Sequence, residues 1–284
     1  MSYQNLYKLS YDFGLLAAVL ERVETQKWEE TQPAIALYYF IYKMNTTDEG
    51  TTFFVGLRQK MVAFSRHFSS NELRNIYFFA VNYAVKQCNK GDETFYRQVF
   101  ELYKESIGNK AILSDDGEIS PFTYKNMAAI GLRLKETAYI LGFLETFKSK
   151  LPLEHRKNYY EYNLARYYFT VRDFTEALPL LENLTYGDIF FQLGAKVMLL
   201  KIYFELDEYD KLDVFLLSFD RFLQRKKAGL SYHYANYTNI IYCFKQLITY
   251  NPFDKAEILR LKTEISTLNP LTEREWLLDN VKNV

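Results

Sequence analysis

Chain breakers are scarce in this 284-residue protein: 11 glycines and 6 prolines, about half of the ~12% usual in globular domains. That scarcity argues against a turn-rich sandwich or barrel and for long helices. Two cysteines, Cys88 and Cys243, stand far apart and form no C-x-x-C pair, which rules against a disulfide framework or a cysteine zinc site. Each falls within a predicted helix, as a buried thiol. None of the histidines His67, His155 and His233 has a second ligand-type residue at the i+4 spacing of a helical metal pair. Charge of one sign is also lacking, with 35 basic against 35 acidic residues. Strongly basic nucleic-acid or membrane-surface binding therefore finds no support in composition. The apolar runs Phe13–Leu20 and Ala34–Tyr42 fall far short of the ~20 residues that cross a bilayer. With no basic n-region ahead of the first, no secretory signal is read, and a cytoplasmic location is expected.

Aromatic residues are abundant, with 25 Tyr and 23 Phe, and their spacing is helical. Leu9, Phe13, Leu16, Leu20 and Val23 step by fours and threes, as do Phe54, Leu57, Met61, Phe64 and Phe68. Ala34–Met44 is apolar nearly all round, which suits a helix covered on several sides. Ser69 with Glu72, and Thr272 with Glu275, match the capping box that opens a helix. Polar breaks lie at Asn45–Thr52, Gly91–Asp92 and Gly108–Pro121, the last with a tight turn at Asp115-Asp116-Gly117. The pattern predicts an all-α chain of about fourteen helices.

The helices repeat. Leu164, Ala165, Tyr168, Phe174, Ala177, Leu181 and Leu184 form a spaced series. The same places 35 residues on hold Leu199, Leu200, Tyr203, Tyr209, Leu212, Leu216 and Phe219. The places 37 residues back hold Met127, Ala128, Gly131, Thr137, Ile140, Leu144 and Phe147. This series resembles the tetratricopeptide repeat (TPR), and the chain is similar to uncharacterised bacterial proteins of that type. The resemblance implies a right-handed α-solenoid of antiparallel helix pairs, in which small residues let helices approach and aromatics fill the gap to the next pair. It spans residues 71–267, clearest at 158–191 and 193–226. A helical segment without the repeat precedes it at 1–70, and a C-terminal capping helix is expected within 268–284. Pro179 falls in the second helix of the clearest copy, where an interior proline costs ~3 kcal/mol. That helix should start late, with Thr175 as its N-cap, or kink.

No phosphate-cradling loop, dinucleotide fingerprint or nucleophile elbow occurs. Asp115-Asp116-Gly117-Glu118 lacks the alternating oxygens of a calcium loop. No catalytic residue, metal or cofactor is expected. The basic run Arg221-Phe222-Leu223-Gln224-Arg225-Lys226-Lys227 has two readings: contact with phosphate or an acidic partner, or cations complementing a helix C-terminus that stops at Gly229. The second weighs more on sequence. Proteins similar to the TPR family hold an extended peptide against the concave face of the first helices. Here that face should carry Tyr159, Tyr162, Asn163, Arg166 and Phe169, with Val197, Lys201 and Phe204 one copy on and Lys125, Ala129 and Arg133 one copy back. Tyrosine and arginine are favoured interface anchors, and Asn, Lys and Arg donors suit a peptide backbone or carboxylate. A subset of the family clamps a terminal carboxylate with Lys-x-x-x-Asn, Asn and Lys-x-x-x-Arg. Here Asn163 fits, but Ala129, Gly194 and Met198 break that set, so no such tail is expected. The reading is a non-enzymatic interaction module or scaffold with a protein or peptide partner. RNA binding by a 35-residue helical repeat, disfavoured by the neutral charge, and an enzyme with a motif-free groove site stay open as alternatives.

Overall fold

The computed structural model describes residues 14–182, 189–231 and 233–282, and among them lie fifteen α-helices, two short 3₁₀ segments and no β-strand. None of these helices is long and apolar enough to cross a membrane. The chain divides into two compact units, one through Arg156 and one from Lys157. The division falls inside a helix.

The first unit holds α1 (Leu16–Thr25), α2 (Trp28–Thr31), α3 (Pro33–Thr46), α4 (Gly50–Phe64), α5 (Ser70–Asn89), α6 (Thr94–Gly108), α7 (Pro121–Arg133) and α8 (Thr137–Phe147). Leu9 and Phe13 lie outside the described residues; of the same series, Val23 is buried on α1. Helix α3 buries Ala36, Leu37, Ile41 and Met44, as its all-round apolar sequence requires. Helix α5 opens on the expected capping box: the Glu72 N–H donates to Ser69 Oγ at 3.3 Å, and the Ser69 N–H donates to Glu72 Oε2 at 2.9 Å. In the loop after α6, Gly117 takes a positive φ of +75° and its N–H donates to the Ser114 carbonyl at 2.9 Å. Arg74 and Asn71 of α5 both donate to the Asp115 carboxylate at 3.2 Å, which docks this loop on the helix.

Helix α9 (Leu153–Thr170) runs across the division. The second unit continues with α10 (Phe174–Glu182), α11 (Ile189–Glu205), α12 (Tyr209–Leu230), α13 (His233–Thr249), α14 (Lys255–Thr267) and α15 (Arg274–Asp279). One backbone device closes α7, α9 and α11. Lys135, Arg172 and Asp207 take φ values of 60°, 63° and 54°. The N–H of the following residue then reaches back five places: Glu136 to Gly131, Asp173 to Tyr168 and Glu208 to Tyr203, at 2.9, 2.8 and 2.9 Å. This is the Schellman closure, which satisfies carbonyls that the helix end would leave unpaired. The three left-handed residues are separated by 37 and 35 positions, the offsets read from the side-chain pattern. The paired positions of that pattern, Ala128 with Ile140, Ala165 with Ala177 and Leu200 with Leu212, are each 0% exposed.

Two local expectations are corrected. Helix α10 does not start late at Thr175; it begins at Phe174 with Pro179 inside it. Asp173 supplies the cap, its Oδ1 accepting the Glu176 N–H at 3.3 Å. Helix α12 does not stop at Gly229, but runs through to Leu230 and ends where Ser231 turns left-handed, at φ 48°. Leu184 lies outside the described residues.

Candidate protein-interaction face

The expected site residues are carried by helices of both units. Lys125 belongs to α7 of the first unit, whereas the other six belong to α9 and α11 of the second. Two of those six are not presented to a ligand. Tyr162 is 7% exposed and Asn163 is 0% exposed. The Tyr162 ring packs 4.3 Å from Phe191, and its hydroxyl lies over Gly194, where a Cβ would come within 2.6 Å of it. Burial pushes the Tyr162 phenol up from its ordinary pKa. Asn163 Nδ2 donates to the Tyr159 carbonyl at 2.7 Å, and its Oδ1 has no partner. Both side chains therefore serve helix-to-helix packing, because α11 seats against that side of α9. Tyr159 is half-buried, 5.1 Å from Phe191, and Arg166 lies 5.9 Å from the Tyr162 ring centre.

Phe169 and Lys201 are joined by a segment that sequence reasoning left out of the site. Lys201 Nζ sits 5.7 Å from the Phe169 ring and 5.2 Å from that of Trp276, and it forms an ion pair with Glu273. Glu273 and Trp276 come from the C-terminal segment 268–282. Trp276 stacks on Phe244 of α13 at 5.3 Å and meets Phe204 of α11 edge-on at 5.6 Å. Leu271, Leu277 and Val281 are buried at 8%, 0% and 1% exposure.

Side chains of α13 hold the backbone of this segment. Asn236 Oδ1 accepts the Thr272 N–H at 2.9 Å, and its Nδ2 donates to Thr272 Oγ1 at 3.2 Å. Asn239 Nδ2 donates to the Pro270 carbonyl at 2.9 Å. These bonds explain why the expected Thr272–Glu275 capping box is not what opens α15: the N-cap is Glu273, with no side-chain cap, and Thr272 is engaged by Asn236. The signal that could have found this site was present, since Asn236 stands four residues ahead of Ile240 on the same buried face as Ile240, Phe244 and Leu247.

No protein-family model, curated protein or solved structure matches the chain. What the face can do is therefore read from its chemistry. It offers amide groups that pair with a peptide backbone, an aromatic slot that takes an indole, and a lysine that takes a carboxylate. The phenols beside it are held protonated, Tyr237 being pushed up to about 12 mainly by burial. The buried Cys243 thiol is pushed up to about 11 for the same reason, far from the thiolate a nucleophile needs. Among the described residues, no group of three His, Cys, Asp or Glu side chains gathers as a metal site.

Proposed function

We propose that this protein is a non-enzymatic interaction module of tetratricopeptide type, built from stacked helix pairs, and that the face formed by α9, α11 and α13 captures a short segment of a protein chain. The recurring helix-pair closure at Lys135, Arg172 and Asp207 supports the repeat reading. One observation carries the binding reading: the face already holds a peptide-like segment by backbone-directed asparagines, an indole slot and a lysine–carboxylate pair. Amides directed at a backbone give sequence-tolerant grip, while Trp276 and Glu273 supply selectivity, as anchors do at protein interfaces. On this reading the chain's own C-terminal segment is the resident occupant, and a partner with a similar aromatic-acidic motif competes with it. The apparent affinity for such a partner is then lowered by the fraction of molecules in which the segment is seated.

The test is a chain ending at Thr267, with a Glu273→Ala/Trp276→Ala full-length variant beside it, each titrated with a fluorescent peptide spanning Leu268–Val284. Both should bind the peptide, and the wild-type chain should bind it about tenfold more weakly or less. Absence of binding by a full-length variant that keeps its helical circular dichroism and cooperative melting would remove this face as a binding site.

A further inference from the structure

Helix α12 carries a second feature that the interaction face does not use. Val214, Ser218, Arg221 and Arg225 step by 4, 3 and 4, so they form one column on this helix, and all four are exposed. Asp213 and Asp220 each precede a member of that column by one residue and so lie about 100° further round the helix. The helix dipole accounts for little of this charge. Its influence is confined to the last turn, where Lys227 sits, and Arg221 and Arg225 precede that turn.

Beside the column lies Lys196 of α11, half-buried. Its Nζ is 5.2, 5.9 and 5.0 Å from the ring centres of Phe215, Phe219 and Phe222. Lys201, also half-buried on α11, is ion-paired with Glu273, whereas among the described residues no carboxylate is within ion-pairing distance of Lys196. Burial holds this lysine below its ordinary pKa, and the neighbouring Arg225 charge pushes the same way. Aromatic faces attract an ammonium but bring no negative charge to it. A half-buried cation beside a second cation costs stability that the rings offset in part, and an anion brought to it offsets the rest.

We infer that Lys196, Arg221 and Arg225 form a binding site for an acidic segment of a partner protein, with the exposed Val214 taking an apolar residue of that segment. A carboxylate suits the arginine fork and the lysine together. The three phenylalanines are covered by the lysine and by the core, so they offer no open platform on which a nucleobase could stack. The chain's neutral total charge supplies none of the long-range field on which nucleic-acid binding relies.

The experiment is fluorescence anisotropy of a labelled peptide of repeated Glu-Glu-Leu with the full chain, run against a single-stranded RNA of equal charge and against anionic phospholipid vesicles. Lys196→Met and Arg221→Gln/Arg225→Gln should each weaken peptide binding about tenfold, while Lys157→Gln/Lys255→Gln changes it less than about twofold. Lys196→Met should at the same time raise the melting temperature, because it removes a desolvated charge and keeps the stem on the rings. Equal weakening by the control pair, tighter binding of RNA or vesicles, no peptide binding, or a lowered melting temperature for Lys196→Met would each overturn the assignment.

Discussion

At the scale of single residues, the weakest copy of the repeat pattern is explained by an exchange of volumes. Ile140 stands in the place that Ala177 holds in the clearest copy, and Gly131 stands in the place of Tyr168. A Cβ built on Gly131 would overlap Ile140 Cδ1 and Cγ1 and come within 3.0 Å of Phe100 Cε2. The large-for-small change on α8 is thus met by a small residue on α7, and both positions remain buried. Gly131→Ala should destabilise the first unit by about 1–2 kcal/mol, since overpacking outweighs the gain of ~1 kcal/mol in helix propensity. Gly131→Ala/Ile140→Val should recover part of that loss. Urea denaturation of the two single variants and the double variant gives the coupling directly, and additive losses would mean that the two residues do not share the space.

At the scale of elements, the closure of the first helix in each pair is set by one left-handed residue, and none of the three is glycine. Lys135 is exposed, so its conformation can be tested without disturbing packing. Lys135→Gly should stabilise by about 0.5–1 kcal/mol, and Lys135→Val should destabilise by about 1–2 kcal/mol, because a β-branched side chain tolerates positive φ worst. Denaturant midpoints measure both; equal midpoints for Gly and Val would show that the turn relaxes. This closure was legible in the sequence only indirectly. The aromatic and small positions fixed its register, yet Lys, Arg and Asp carry no turn signature of their own. The Ser69–Glu72 box was legible because its partners are local. Thr272–Glu275 has the same local signature, and a tertiary partner 36 residues away, Asn236, takes the threonine instead. The candidate face follows the same rule. Tyr162 and Asn163 lie on the expected helix, but one residue of helix is 100° of rotation, and the side that α11 covers cannot be told from the open side by spacing alone. That Glu273 and Trp276 reach Lys201 and Phe204 left no periodic trace, because the segment that brings them is mostly non-helical.

At the scale of the whole molecule, the division inside α9 has a consequence for stability. Every residue of the buried cluster in the second unit, and every half-buried apolar residue packed on it, lies between Tyr159 and Val281. Strong helix-to-helix contacts in the chain join elements that are neighbours or next-neighbours in sequence, the arrangement in which stability is a sum of local and nearest-neighbour contributions. The start of α9 is tied locally as well, Arg156 Nη2 donating to the Ser149 and Leu151 carbonyls at 2.9 and 3.0 Å. A chain beginning at Ser149 retains those acceptors and the whole of α9. A domain of that size buries roughly two thirds of the surface its unfolded chain exposes, enough for a stability of about 5 kcal/mol or more. Residues 149–284 alone should therefore be helical, melt cooperatively and give dispersed amide resonances. The local contacts also predict folding in milliseconds or faster, as in other helical proteins of low contact order. A helical fragment with no cooperative melt would mean that the two units stabilise each other, and that the division between them is one of packing density alone. A cooperative fragment would also isolate both proposed surfaces, the segment-binding face and the Lys196 site, on one independently folding piece, and would let the peptide titrations above be repeated without the first unit.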